Sequence, residues 1–159
     1  MSTALRFIAL PTDIVRGYQS GAPDANGQTP EKRISDGNHV PCRHCLTEVA
    51  AGEPYLVLAH RPFPALQPYA ETGPIFLHAA PCARYADESA PPRMFRDWLH
   101  LLIRGYGADD RIVYGTGGQI RADELEEAAA DILAHPAVAY VHVRTAQYNC
   151  YQCLIERAG

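Results

Sequence analysis

The sequence predicts an α+β domain, mostly antiparallel or mixed sheet with few helices, and three observations carry that expectation. Short apolar runs bounded by Pro, Gly, Asn and Asp recur along the chain. Only one segment, near 122–134, shows clear one-face helical spacing. Strands and helices do not alternate as a doubly wound parallel sheet requires. With 159 residues, 47% of them hydrophobic and 20% charged, the chain has enough apolar material for one core, so residues 1–159 are expected to form a single domain.

The elements follow in order. Leu5 to Leu10 reads as a strand closed by Pro11, and Thr12 to Tyr18 as a short helical turn capped by Thr12 or Asp13. Residues 20–30, rich in Gly, Pro, Asn and Asp, read as a surface loop. Cys42-Arg-His-Cys45 follows Pro41 in a loop that leads through Gly52-Glu53 into a strand from Tyr55 to His60. Pro62, Pro64 and Pro68 make the next segment an extended excursion, because proline cannot donate to a ladder or continue a helix. Ile75 to His78 is a short strand that ends before Pro81-Cys82.

Phe95 to Tyr106 reads as a short helix passing into a strand, and residues 107–110 as a polar turn into a hairpin partner, Arg111 to Tyr114. Gly115-Thr-Gly-Gly118 is a turn, since no Lys-Ser/Thr follows to make a phosphate loop. Ala122 to Ala134 is the clearest helix, with Leu125, Ala128, Ala129, Ile132 and Leu133 on one face and acidic residues in its first turns. Val138 to Arg144 then alternates strictly, and Cys150 to Glu156 can pair with it through a turn at 146–149.

Charge and composition narrow the partners. The formal charge is -4 and the 14 Lys and Arg residues are scattered, which argues against nucleic acid or an anionic membrane surface. The first residues lack a basic and apolar leader pattern and no membrane-length apolar run follows, so the expected location is cytoplasmic. Five cysteines cannot all pair, which favours free thiols or metal ligands.

Cys42-x-x-Cys45 is the strongest chemical signal, because two thiolates at this spacing in a turn can share one tetrahedral zinc. Four ligands are needed, and Cys82, Cys150, Cys153, His44 and His78 are available. Cys150-x-x-Cys153 has the familiar spacing, but residues three apart on a strand point to opposite faces. His78 and Cys82 avoid that objection, because Pro81 lets the chain bend back. The competing reading makes the cysteines small buried hydrophobes. A thioredoxin-like role does not suit either pair, since neither precedes a helix.

Tyr140, His142 and Arg144 share one strand face, which reads as the solvent side of a half-exposed sheet. As a pocket wall, the same face would offer His142 as acid or base and Arg144 as an anion clamp. The chain has no Gly-x-Ser-x-Gly elbow and no His-Glu-x-x-His helix.

Pro41-Cys-Arg-His-Cys-Leu46, Gly52-Glu53 with the strand after it, Pro74-Ile-Phe-Leu-His78, Pro81-Cys82, and Val138 to Arg144 with Cys150 together resemble the bacterial domain of unknown function 1203 family. The resemblance runs from about Leu5 to Arg157 and implies no established activity, substrate or cofactor. It implies that Cys42-Arg43 and Cys150 are common elements, while Cys45, Cys82 and Cys153 belong to a subset of members.

Two functional expectations result. In the first, Cys42, Cys45, Cys82 and one of His78 or Cys150 hold a structural Zn2+, and the domain acts by binding a partner. In the second, an enzyme or small-anion binder gathers Arg43, His142 and Arg144 near the thiol of Cys150.

Overall fold

Strict alternation in the C-terminal third builds the larger of two antiparallel sheets. The computed structural model describes residues 3–159, and its largest sheet has the order β1-β8-β7-β5-β6. These strands are β1 (Leu5–Ile8), β5 (His100–Tyr106), β6 (Gly118–Arg121), β7 (Tyr140–Thr145) and β8 (Tyr151–Arg157). A second sheet is a meander of β2 (Glu31–Ile34), β3 (Pro54–His60) and β4 (Gly73–His78). The two helices among the described residues are α1 (Thr12–Gln19) and α2 (Leu125–Leu133), with single 3-10 turns at Arg93–Asp97 and Ala122–Glu124. No helix is long and apolar enough to cross a membrane. The α+β expectation is met.

One face of the large sheet packs against α2. Phe7, Leu101, Ile103, Val141, Val143, Cys153 and Ile155 meet Leu125, Ala129 and Leu133, the helix face that the sequence spacing picks out. Gly105 lies where this packing is tightest: a Cβ there would sit 2.9 Å from Ile132 Cγ2 and from Thr116 Oγ1. A second apolar cluster joins Val15 of α1 and Val40, Leu56, Leu58, Ile75 and Leu77 to Tyr151 of β8, so the small sheet docks on the large one near the start of β8.

The other face of the large sheet departs from the expected solvent side. His142 and Arg144 are 0% and 4% exposed. Their cover is the proline-rich excursion after β3, which places the Phe63 ring 5.1 Å from His142 and 5.3 Å from Tyr106. Tyr140, Tyr106 and Tyr151 complete an aromatic surround, with Tyr106 and Tyr140 stacked at 5.3 Å. Burial is enforced by a segment distant in sequence, which alternation along β7 cannot reveal.

Two local expectations also change. Thr12 does not cap α1: Pro11 occupies the cap position with no side-chain bond, and the Thr12 hydroxyl meets His44 instead. Arg111 to Tyr114 forms no strand; one bridge joins Tyr106 to Ile112, and the partner of β5 is β6, with Leu101 opposite Ile120. Thr116 Oγ1 takes the Gly105 N–H at 3.0 Å, which occupies the donor a continuing ladder would use. The β7–β8 hairpin forms as expected, closed by Asn149 at φ 59°, and Gln152 is an extra residue in its register between Tyr151 and Cys153.

Candidate metal centre and its surroundings

Two chain reversals create the site. After Pro41 the backbone turns tightly: Leu46 N–H returns to Cys42 O at 3.0 Å and Leu46 itself takes φ 56°, while its side chain is buried in the main core. The Cys42 and Cys45 thiols therefore project from one knuckle held from below. The knuckle is stitched to β4 by Arg43 N–H donating to Phe76 O at 3.1 Å. His78 ends β4, and the chain bends through Pro81 to bring Cys82 back.

Cys42, Cys45 and Cys82 each offer a sulfur and His78 a ring nitrogen, all within 4.8 Å of one another. Two sulfurs bound to one zinc at about 2.3 Å and the tetrahedral angle stand about 3.8 Å apart. Cys42 Sγ to Cys82 Sγ is 3.9 Å and Cys45 Sγ to His78 Nδ1 is 3.4 Å, so the donor set is already near the size such an ion requires.

The outer contacts fit the same chemistry. His78 turns Nδ1 toward the thiols and Nε2 toward Glu53 Oε2 at 3.6 Å, the carboxylate–imidazole arrangement that orients a metal-bound histidine. His78 N–H donates to Cys42 Sγ at 3.3 Å, and Thr47 Oγ1 lies 3.0 Å from Cys45 Sγ. Hydrogen bonds from the Cys45 and Cys82 thiols, followed by backbone N–H groups, hold the Cys42 thiol far below its ordinary range. Hydrogen bonds with Cys42 and Cys45 push the Cys82 thiol up.

His44 is part of the knuckle without being a member of the four-residue cluster. Its ring is fully buried, with Nδ1 3.2 Å from Cys82 Sγ and Nε2 2.9 Å from the Thr12 hydroxyl. Burial, then the charge of Arg16, lowers its pKa and keeps the ring neutral. A neutral ring that accepts from Thr12 at Nε2 carries its proton at Nδ1 and donates it to Cys82. The sequence offers no signal for this role beyond the presence of His44 inside the knuckle.

The other candidate residues lie elsewhere. Cys153 is fully buried in the α2-side core, and burial pushes its thiol up to about 12. Cys150 lies just before β8 and lines a cavity with Arg144, His60 and Tyr151. The two thiols lie apart, Cys150 in the turn before β8 and Cys153 beyond the extra residue Gln152. Arg43, at 2% exposure, passes beneath this region: Nε donates to Tyr151 O at 2.7 Å and Nη1 to Pro41 O at 2.6 Å. His142 Nδ1 meets Arg144 Nη2 at 3.2 Å, and burial holds the ring neutral well below its ordinary pKa. Cys150 Sγ contacts Tyr148 O at 3.7 Å, so no base is paired with it.

Neither the curated proteins nor the solved structures contain a match to this chain. A family model does match, over residues 39–157, which spans the knuckle, β4, Cys82 and the whole β5–β8 sheet. The chain therefore belongs to the family described as "Protein of unknown function (DUF1203)".

Proposed function

We propose that this protein is a zinc-stapled binding domain, with Cys42, Cys45, His78 and Cys82 as the four ligands of a structural Zn2+. The observation that carries this reading is the convergence of four soft and borderline donors within 4.8 Å of one another. Three thiolates and an imidazole saturate tetrahedral zinc and leave no position for water or substrate, which is the donor pattern of structural rather than catalytic sites. The metal would tie together the knuckle, the end of β4 and the loop after it. A domain stapled in this way acts through its surface, by binding a partner. Its free thiols suit a reducing compartment such as the cytoplasm.

The test is metal analysis of the purified, untagged protein followed by cobalt substitution. About one zinc per chain is expected, and the Co2+ form should show tetrahedral thiolate absorption that azide or cyanide leaves unchanged, since a closed site has no exchangeable ligand. Cys45→Ser and Cys82→Ser should each lose the metal and the cooperative unfolding transition. A chain that purifies without metal and unfolds at the same temperature with and without chelator would reject the site. A cobalt spectrum that shifts with azide would reject the non-catalytic role.

A further inference from the structure

Away from the metal cluster, a cavity of about 180 Å³ lies between the β7–β8 turn and the segment that enters β4. Pro62, Pro74, Ile75 and Tyr151 form much of its wall, and Arg144 and Cys150 also line it. The rest of the wall is largely polar, with His60, Glu71, Thr72 and Asn149, so apolar and polar surface are about balanced; a concave site that pairs an apolar side with placed polar groups is the usual form for a small molecule.

Arg144 is the group in need of a partner. Its guanidinium is buried, with Nη1 donating to Asn149 O at 3.2 Å and Nη2 to His142 Nδ1 at 3.2 Å, both neutral acceptors. Its Nε is buried with no partner at all. The nearest anion, Glu71, reaches it only at 3.7 Å through Oε2, while Oε1 is 3.3 Å from Nη2 of a second cation, Arg104. Two guanidinium groups thus share one half-exposed carboxylate, and the buried Arg43 adds a third positive charge on the far side of Tyr151. His60, in the cavity wall, and His142, behind Arg144, are both held neutral by burial and add no further positive charge. Glu71 is the sole acidic side chain among the lining residues. A buried cation with incomplete pairing is costly, and an arginine presents a fork that suits a carboxylate.

We propose that this cavity binds a small organic carboxylate, its anionic end held by Arg144 and its short apolar body placed against Pro62, Pro74 and Ile75. The volume equals about six water molecules, which sets a ligand of roughly six to nine non-hydrogen atoms. A carboxylate is favoured over a phosphate because Glu71 already shows a carboxylate seated against the same pair of cations. The thiol of Cys150, in the same wall, reports occupancy.

The experiment uses the isotope-labelled full chain as purified, titrated with isobutyrate, with its neutral isostere isobutyramide, and with inorganic phosphate. Isobutyrate should give saturable NMR shifts at the arginine Nε–H and at the Asn149 and Tyr151 amides, with a Kd on the order of 1 mM or tighter. Isobutyramide and phosphate should each bind at least about tenfold more weakly. Saturating isobutyrate should slow iodoacetamide modification of Cys150, read by peptide mass spectrometry. Arg144→Gln should abolish the titration. Should Arg144→Gln fail to fold, the acid–amide comparison and the Cys150 protection in the parent decide the matter. Absence of saturation, equal binding of acid and amide, preference for phosphate, or shifts that leave Cys150 unprotected would each overturn the proposal. None of these outcomes depends on whether the metal reading holds.

Discussion

His60 should make the protein measurably weaker in mild acid, and the size of the effect can be worked from its surroundings. The ring is 7% exposed at the end of β3, edge-on to Tyr18 of α1 at 6.3 Å and 6.2 Å from Tyr151 of β8. The charged groups near it, Arg43 and Arg61, are both positive; burial first and these cations second lower its pKa from 6.5 to about 4. A histidine with a depressed folded pKa binds fewer protons folded than unfolded between those two values. Its contribution to stability is therefore intact above about pH 6.5 and is lost progressively as the pH falls toward 4. The full difference of about 2.5 units corresponds to about 3 kcal/mol, of which about 2 kcal/mol is gone by pH 5. Urea unfolding of the parent and of His60→Phe, which keeps an aromatic ring without the titration, isolates the effect from His142 and from acid release of metal. The parent should lose about 2 kcal/mol more than the variant between pH 7 and pH 5. Equal acid sensitivity of the two proteins, or a folded-state NMR titration of the His60 ring near its ordinary pKa, would refute the reasoning.

Two further substitutions test the packing and the polar bridge. Gly105→Ala places a methyl 2.9 Å from Ile132 Cγ2 and Thr116 Oγ1 and 3.0 Å from Val138 Cγ2, so overpacking should cost about 2 kcal/mol and lower the calorimetric Tm by about 4–8 °C; an unchanged Tm would show that α2 can move away freely. Arg43→Met removes both charge-assisted bonds, to Tyr151 O and Pro41 O, and should destabilise the metal-loaded protein by about 3 kcal/mol in urea, with Arg43→Lys intermediate because it cannot reproduce the guanidinium fork. A methionine variant as stable as the parent would mean that the two carbonyls find water instead.

The strands that the sequence foretold are those whose pattern records burial. Residues of β5, β7 and β8 face an apolar core on one side, so their side chains had to be chosen for it, and the face of α2 follows for the same reason. By contrast, β2 is exposed at all four positions and carries Glu31, Lys32 and Arg33, so nothing in its composition marks a strand; it exists because β3 offers an edge. The edge strand β6 is similarly short and mostly exposed. At the site, the Cys42–Cys45 spacing was legible because a knuckle is local. The choice of His78 rather than Cys150 as the fourth donor was not, because it depends on Arg43 N–H pairing with Phe76 O, which aligns the knuckle beside the end of β4.

Arg43 gives the clearest view of how this small domain is organised. It stands within the Cys42–Cys45 knuckle, its backbone is bonded to β4, and its side chain runs in the opposite direction to a carbonyl at the start of β8. Cys42 just before it and Cys45 two residues after it belong to the candidate metal cluster, while its guanidinium bonds the backbone of Tyr151, a wall residue of the cavity. An apolar residue of equal volume in its place would leave the Tyr151 and Pro41 carbonyls without their donor. What an apolar residue cannot do is bond two carbonyls from different layers and set their relative position. The knuckle that carries Cys42 and Cys45 and the strand that carries Tyr151 are thus fixed to each other by one side chain. The same geometry places a positive charge behind the cavity without letting that charge reach water.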